Sequence, residues 1–161
     1  MTTPDVVVVG AGIWGSAIAF QLTRQSNCQV RVVDRNFDIG QETTINAAGQ
    51  VGQIRSSPVL TRAIAYALEV FETFKDQFGY DPGLVRCGSL FVGLTPERIK
   101  YFQKQIVLGR ANGLRIDEIT AGDVRDRIPG LRAEAVLGGY FVHGDGYLAS
   151  IAAARAMASV G

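Results

Sequence analysis

Three glycines near the N-terminus, with an acid further along the chain, have the types and spacing that hold a diphosphate. The sequence reads Gly10-Ala11-Gly12-Ile13-Trp14-Gly15, and Asp34 follows. Gly10 allows a tight turn, Gly12 lets the backbone approach a pyrophosphate, and Gly15 lets a helix pack closely on a strand. The phosphates then lie at a helix N-terminus, where free N–H groups and the helix dipole favour negative charge.

The flanking sequence supplies the elements that must position this turn. Val6 to Val9 predict a buried parallel strand before it, and Ala19 and Leu22 continue the apolar face of a helix after it. A second strand, residues 29–33, ends at Asp34, whose carboxylate is placed to accept hydrogen bonds from ribose hydroxyls. The order strand, glycine turn, helix, strand and acid predicts a nucleotide-binding βαβ unit.

The residues at the end of the second strand bear on the choice of nucleotide. Asp34 disfavours a 2′-phosphate, whereas the neighbouring Arg35 would tolerate one or stack on the adenine. The balance favours FAD or NAD over NADP.

Residues 40–58 are small and polar and show no clear periodicity. A long irregular segment inside a compact domain is usually functional or disordered. The hydroxyls, amides and single arginine, Arg55, suit a backbone that runs along a phosphate-containing ligand. A flexible surface loop is the alternative.

Two motifs carry a resemblance to a known family. The glycine motif and the later Thr43-x-x-Asn46-x-x-Gly49 resemble the FAD fingerprint of amine and amino-acid oxidoreductases related to D-amino-acid oxidase, glycine oxidase and sarcosine oxidase. In that family the second segment follows the FAD diphosphate toward the flavin. The resemblance implies that the following residues bind FAD, with the last of them near the isoalloxazine ring: Gly10, Gly12, Ile13, Trp14, Gly15, Asp34, Arg35, Thr43, Thr44, Asn46, Ala48, Gly49, Gln50 and Arg55.

The sequence departs from the family pattern at two positions. The family more often has glutamate where Asp34 stands, and it often has glycine where Ser26 stands. Asn27 is expected to supply the left-handed helix cap instead. No catalytic residue is assigned, because the resemblance implies that the substrate contacts belong mostly to further polypeptide.

The middle of the chain predicts a second set of elements. A helix from Pro58 to Gly79 has a core-facing apolar stripe, formed by Leu60, Ile64, Ala67, Leu68, Phe71, Phe74 and Phe78. Strands are expected at residues 88–94, 116–119 and 135–142. Helices are expected from Thr95-Pro96 to Asn112-Gly113, and from Thr120 to a stop at Pro129-Gly130.

The C-terminal region predicts a turn at residues 143–147 and a helix over residues 150–160. In the family that the chain resembles, an Asp-Gly segment before a helix returns the chain from the substrate domain to the FAD domain. Asp145 and Gly146 match that segment, although a purely structural turn explains them equally well.

These elements predict an α/β fold. We expect a Rossmann-like FAD-binding βαβ domain of the glutathione-reductase type, with an inserted α+β segment of a substrate domain. The expected boundaries are 1–83 for the first part of the FAD domain, 84–136 for the substrate segment and 137–161 for the return. A crossover helix joins parallel strands, so the last helix should feed another strand. The fold is therefore expected to need the remaining polypeptide or a second subunit.

Composition and charge argue against several classes of function. The chain has 161 residues, a formal charge of +1 and 47% hydrophobic residues, which predicts neither nucleic-acid binding nor attraction to an anionic membrane. No apolar run is long enough to span a bilayer, and the expected location is the cytoplasm. Cys28, Cys87 and the single His143 fit no familiar metal-ligand spacing, so no metal is expected.

The resemblance implies the N-terminal portion, or a split chain, of an FAD-dependent oxidase or dehydrogenase. Such an enzyme oxidises an amine or amino acid to an imine by hydride transfer to the flavin. One alternative is a fragment of an NAD-dependent dehydrogenase, which does not explain the segment from Thr43 to Gly49. A non-catalytic nucleotide-binding or assembly subunit is the other alternative.

Overall fold

The computed structural model describes residues 3–25, 27–128, 130–131 and 135–160. The chain forms two compact units. Unit 1 comprises residues 1–50, 68–85 and 147–161, and unit 2 comprises residues 51–67 and 86–146. The division into functional domains at 1–83, 84–136 and 137–161 stays a prediction.

Unit 1 begins with the predicted βαβ order. Strand β1 (Val6–Val9) leads into helix α1 (Ile13–Gln25), and strand β2 (Val30–Val33) follows. The two strands pair in parallel, with Val6 opposite Val30 and Val9 opposite Val33. Because parallel strands need a crossover, α1 joins them and lies against the sheet.

The core of unit 1 is built from aromatic and small side chains. Helix α5 (Ser150–Val160) packs against α1, and its alanines allow close approach. The C-terminal part of helix α2 (Pro58–Phe78) adds phenylalanines to the same cluster. The ring of Phe20 lies 5.2 Å from that of Phe74 and 5.6 Å from that of Phe78. The fully buried Phe74 thereby joins α1 to α2.

A second sheet contains three short strands that the sequence pattern did not predict. They are β3 (Gln50–Val51), β4 (Leu84–Val85) and β8 (Gly146–Leu148), in the order β3-β8-β4. Strands β4 and β8 are antiparallel, with Leu84 opposite Leu148. Strands this short show no measurable alternation, so periodicity does not reveal them.

Unit 2 is an antiparallel sheet with two helices. Strands β5 (Ser89–Gly93), β6 (Ile116–Ile119) and β7 (Gly138–Val142) lie in the order β5-β7-β6, and both outer strands run antiparallel to β7. Helix α3 (Pro96–Ala111) is capped by Thr95, and helix α4 (Ala121–Arg127) begins with a capping box from Thr120. Both caps were predicted from the sequence.

The core of unit 2 lies between α3 and the sheet. Phe102 and Ile106 of α3 pack against Tyr140 and Val142 of β7. Phe102 meets Tyr140 edge-on, with the ring centroids 4.9 Å apart, and Phe91 stacks on Tyr140 at 4.6 Å. This packing fixes the position of the α3 surface relative to the strands.

Two burial expectations are wrong. Strand β1 is only half buried, because α1 contacts one face of the sheet while Val7 and Val9 remain 52% and 84% exposed. Leu60 was expected in the core but is 53% exposed, since the buried stripe of α2 is concentrated in its C-terminal half at Leu68, Phe71 and Phe74.

The expected left-handed cap at Asn27 stays a prediction, because it depends on the backbone of Ser26. Helix α1 ends at Gln25, and Ser26 lies outside the described residues, as does Pro129 after α4.

Candidate FAD-binding site

The glycine turn of unit 1 has the tight geometry that the sequence predicts. Gly10 has a φ of +105°, and its N–H donates to the carbonyl of Val33 at 2.8 Å. A Cβ at position 15 would lie 1.8 Å from the Gly10 carbonyl oxygen, far inside any real contact. Gly15 is therefore the only residue type that lets α1 start this close to the end of β1.

Thr44 closes the N-terminus of α1. The backbone N–H of Ile13 donates to Thr44 Oγ1 at 3.0 Å, and the threonine is 5% exposed. A Cβ at Gly12 would lie 3.0 Å from the same oxygen, so the hydroxyl uses the space that glycine leaves. The neighbouring Trp14 is 82% exposed at the first turn of the helix.

Asp34 contacts the glycine turn directly. Its Oδ2 accepts from the Ala11 N–H at 2.6 Å, and its Oδ1 accepts from the Asn36 N–H at 2.7 Å. These two backbone hydrogen bonds lower the pKa of the Asp34 carboxyl below its usual value. The carboxylate thus stays ionised beside the turn, as a hydrogen-bond acceptor for hydroxyl groups.

Arg35 forms an ion pair with Glu42, a partner that sequence reasoning missed. Arg35 Nη2 lies 2.5 Å from Glu42 Oε1, and Asn36 Nδ2 donates to the same oxygen at 3.0 Å. The hydrogen bonds from Asn36 and Arg35 lower the pKa of Glu42. A carboxylate already in contact with Arg35 opposes a second anion there, which agrees with a cofactor that lacks a 2′-phosphate.

A cleft of about 330 Å³ opens beside Asp34, and we call it the nucleotide cleft. It is lined by residues of the turn, α1, the segment after β2 and α5, including Ala11, Ser16, Asp34, Asn36, Phe37 and Ala158. Ser16 is 1% exposed, and its Oγ has no hydrogen-bond partner among the described residues. The cleft therefore offers one buried, unsatisfied hydroxyl and one ionised carboxylate to a ligand.

The segment from Thr43 to Gln50 lies in unit 1, and its residues differ in exposure. Thr43 and Ala48 are exposed, and Asn46 Nδ2 donates to the carbonyl of Glu42 at 2.9 Å. Gly49 has a φ of +71°, and its carbonyl accepts from the Leu148 N–H at 2.8 Å. Gln50 begins β3 and is exposed. The segment is thus ordered by the chain itself and presents polar groups to solvent.

Arg55 belongs to unit 2. Its backbone N–H donates to Thr61 Oγ1 at 3.2 Å, and its Nη1 donates to the carbonyl of Ile54 at 2.9 Å. The expected position of Arg55 near a flavin ring stays a prediction, as does the full set of FAD-binding residues.

Asp145 and His143 have different surroundings in unit 2. Asp145 is 1% exposed, and its Oδ1 accepts from the Gln53 N–H at 2.9 Å. His143 Nε2 lies 2.6 Å from Asp117 Oδ2, and this contact lowers the pKa of Asp117. Within the described part of the chain, no group of three or more His, Cys, Asp and Glu side chains is arranged to hold a metal ion.

Comparison with known proteins decides the family. Residues 5–160 match the protein family described as "FAD dependent oxidoreductase". The chain belongs to this family of FAD-dependent oxidoreductases. The match favours FAD over NAD as the cofactor.

Characterised relatives share this region. The chain is 29% identical over 163 residues to glycine oxidase of Geobacillus kaustophilus, covering 96% of this chain and 42% of that protein. It is 28% identical to 4-methylaminobutanoate oxidase (formaldehyde-forming) of Paenarthrobacter nicotinovorans, covering 96% of this chain and 19% of the relative. The chain therefore spans less than half the length of these relatives.

A solved structure shares the fold. L-proline dehydrogenase of P. horikoshii superposes with a TM-score of 0.88 at 23% identity, covering 98% of this chain and 41% of the other. The α/β fold expected from the sequence is confirmed, and the chain corresponds to part of the complete family fold. Separately, none of the helices in the described ranges is both long and apolar enough to cross a bilayer.

The residues present fit the adenosine diphosphate end of FAD. The turn has no side chain at Gly12 or Gly15, it lies at the N-terminus of α1, where the helix dipole favours an anion, and the pKa of Asp34 nearby is lowered. The unsatisfied Ser16 hydroxyl adds a further polar group in the cleft. When bound, FAD supplies the hydride-accepting chemistry, and these are the residues that would hold it.

Replacing Thr44 with valine should destabilise the fold, because the Ile13 N–H would lose its acceptor. We expect a loss of about 1–3 kcal/mol in the free energy of unfolding, the range for an unsatisfied buried donor. Thr43→Val removes the hydroxyl from an exposed neighbour and should cost less than about 0.5 kcal/mol. Urea unfolding of both variants measures the difference, and equal losses would contradict the capping role of Thr44.

Replacing Asp34 with asparagine should change how stability depends on pH. A carboxyl whose pKa is lowered on folding stabilises the fold above its unfolded pKa, near 3.8, and this contribution disappears as pH falls through the lower folded value. The melting temperature of wild type should therefore exceed that of Asp34→Asn at pH 6, and the gap should close on acidification toward pH 2–3. The exposed Asp76→Asn is the matched control. A gap that widens on acidification would contradict the assignment.

Proposed function

We propose that this chain forms the FAD-binding N-terminal part of an oxidoreductase that acts on an amine or an amino acid. The junction of the glycine turn with Asp34 and Thr44 carries the proposal, since it links the strand end, the helix start and the following segment through side-chain hydrogen bonds. The relatives named glycine oxidase and 4-methylaminobutanoate oxidase support the substrate class.

Each residue has a definite task in this proposal. The N–H groups at the start of α1 bind the diphosphate, and Asp34 accepts the ribose hydroxyls. The ion pair of Arg35 with Glu42 holds the segment after β2 in place. Arg55 is proposed to stabilise negative charge on the reduced cofactor. FAD bound here would accept a hydride from the carbon next to the substrate nitrogen.

The test uses the complete native protein that contains this chain. Its absorption spectrum should show a flavin band, and anaerobic addition of individual amines and amino acids should bleach that band for at least one of them. A flavin-free protein would contradict the cofactor assignment. A flavoprotein that no amine or amino acid reduces would contradict the reaction and favour a non-catalytic nucleotide-binding subunit.

We further propose that additional polypeptide completes the sheet of unit 1. Val7 and Val9 of β1 remain exposed, and the relatives are more than twice as long as the matched region. Residues 1–161 expressed alone should therefore aggregate or need a second polypeptide for solubility. A cooperatively folding monomer with stoichiometric FAD would contradict this. A cytoplasmic location is part of the proposal, and cell fractionation tests it.

A further inference from the structure

The turn between β7 and β8 contains a buried carboxyl group that has no task in the proposed function. Asp145 is 1% exposed, although it lies in a turn of unit 2. A turn alone does not require this burial, because an acidic side chain in a turn is usually solvated. Carboxyl groups are rarely buried in proteins unless they are paired or hydrogen-bonded. The surroundings of Asp145 therefore indicate what the group does.

Asp145 holds a distant segment of unit 2 against its own turn. Its Oδ1 accepts from the Gln53 N–H at 2.9 Å, across 92 residues of sequence. The side chain of Gln53 is 6% exposed and packs on the same turn. A Cβ at Gly144 would lie 2.1 Å from Gln53 Oε1, so only glycine leaves room for this side chain. The turn and the segment around Gln53 thus interlock.

The same segment is also held two residues further along. The backbone N–H of Arg55 donates at 3.2 Å to Oγ1 of Thr61, which is 1% exposed. Gln53 and Arg55 therefore both donate to buried side chains, from two different parts of unit 2. This arrangement fixes the backbone from which the guanidinium of Arg55 extends.

The second oxygen of Asp145 faces Arg55 across a glycine. A Cβ at Gly52 would lie 3.5 Å from Asp145 Oδ2 and 3.6 Å from Arg55 Nη1, so both groups border the space that the glycine leaves open. Oδ2 is buried and has no hydrogen bond of good geometry from the described residues. Because an unsatisfied buried acceptor is costly, a donor that moves into this space is stabilised.

Charge acts in the same direction as this geometry. Burial raises the pKa of the Asp145 carboxyl, whereas the Gln53 hydrogen bond, Ser89 and the charges of Arg55 and Arg86 act to lower it. The two arginines therefore favour the carboxylate form. The carboxylate in turn attracts the guanidinium of Arg55, and this attraction is strong where water is excluded.

We propose that Asp145 is a positioning residue for Arg55 and thereby lowers the reduction potential of the bound flavin. It fixes the segment around Gln53 and draws the guanidinium of Arg55 toward the space at Gly52. Less positive charge then stabilises the reduced cofactor, and charge near the flavin sets its potential. The inference rests on the proposed function, in which Arg55 stabilises negative charge on the reduced cofactor. Asp145 itself does not contact the flavin.

The midpoint potential of the flavin in the complete native protein, measured against redox dyes, tests this role. Asp145→Asn keeps an oxygen for the Gln53 N–H but removes the charge. It should raise the equilibrium constant for two-electron reduction at least tenfold, which is about 30 mV. Asp126→Asn removes the same charge from an exposed position on α4 and should change that constant less than twofold.

Two further variants separate positioning of Arg55 from a general effect of charge. In an Arg55→Gln background, Asp145→Asn should change the constant less than threefold, because the group that it positions is gone. Gly52→Ala keeps both charges and places a methyl group between them at ordinary contact distances. It should fold normally and raise the constant at least twofold, so it decides the question if Asp145→Asn does not fold.

Three results would overturn the inference: a wild-type potential in both Asp145→Asn and Gly52→Ala, an equal shift from Asp145→Asn with and without Arg55, or an equal shift from Asp126→Asn. A flavoprotein that an amine or amino acid reduces, but whose potential ignores Asp145, would contradict this inference alone. A protein without flavin would contradict the proposed function and this inference together.

Discussion

Replacing Gly15 with alanine is expected to weaken FAD binding strongly. The added Cβ would lie 1.8 Å from the Gly10 carbonyl oxygen and 3.0 Å from its carbonyl carbon, and both are backbone atoms that cannot rotate away. Helix α1 must therefore shift from the end of β1, which displaces the N–H groups proposed to bind the diphosphate. We expect the FAD affinity to fall at least about 100-fold, which corresponds to about 2.8 kcal/mol.

The matched control is Gly122→Ala, which also replaces a helical glycine. A Cβ there would meet only Thr120 Oγ1, at 3.5 Å, which is an ordinary contact. This variant should keep full FAD affinity and gain up to about 1 kcal/mol in stability, because alanine has the higher helix propensity. Flavin absorbance after dialysis and titration of the apoprotein with FAD measure both variants. If Gly15→Ala keeps wild-type affinity, the close packing of α1 on the turn is not required for binding.

Replacing Phe74 with alanine should cause the largest loss of stability outside the glycine turn. Its ring is fully buried and lies 5.2 Å from the ring of Phe20 and 4.8 Å from that of Phe78. Removing it leaves a cavity between α1 and α2, which typically costs about 3–5 kcal/mol. Phe74→Leu should recover part of this loss, because it fills part of the cavity.

Leu60→Ala is the control for the same helix. The sequence pattern places Leu60 and Phe74 on one stripe, but Leu60 is 53% exposed. Its replacement should therefore cost less than about 1 kcal/mol. Urea unfolding of the three variants provides the comparison. Similar losses of stability in Leu60→Ala and Phe74→Ala would contradict the exposed position of Leu60.

Where local signals were strong, the sequence predicted the fold well. The capping residues Thr95 and Thr120 correctly marked two helix starts, and the limits of β6 and α5 were predicted to the residue. These features depend on hydrogen bonds and spacings within a few residues. The glycine turn could be predicted equally well, because a local steric requirement explains each of its glycines.

Features set by distant partners were not predictable in this way. Asp145 is buried because it accepts from the N–H of Gln53, 92 residues away in the sequence. The pairing of Arg35 with Glu42 depends on how the segment after β2 folds back. Val9 is exposed because no described element of this chain covers that face of the sheet, whereas a run of valines indicates only that a strand can be buried.

Unit 1 is assembled from three separated stretches of chain, and this sets the order of events during synthesis. Helix α1 buries Phe20 against α5, whose alanines are translated well over a hundred residues later. At about 5–20 residues per second, α1 waits on the order of 10 s for its packing partner. Unit 2 is a nearly continuous stretch that is complete before α5 emerges. Until α5 is synthesised, Phe20 can therefore pack only on the phenylalanines of α2, and the core of unit 1 stays open on the side that α5 covers.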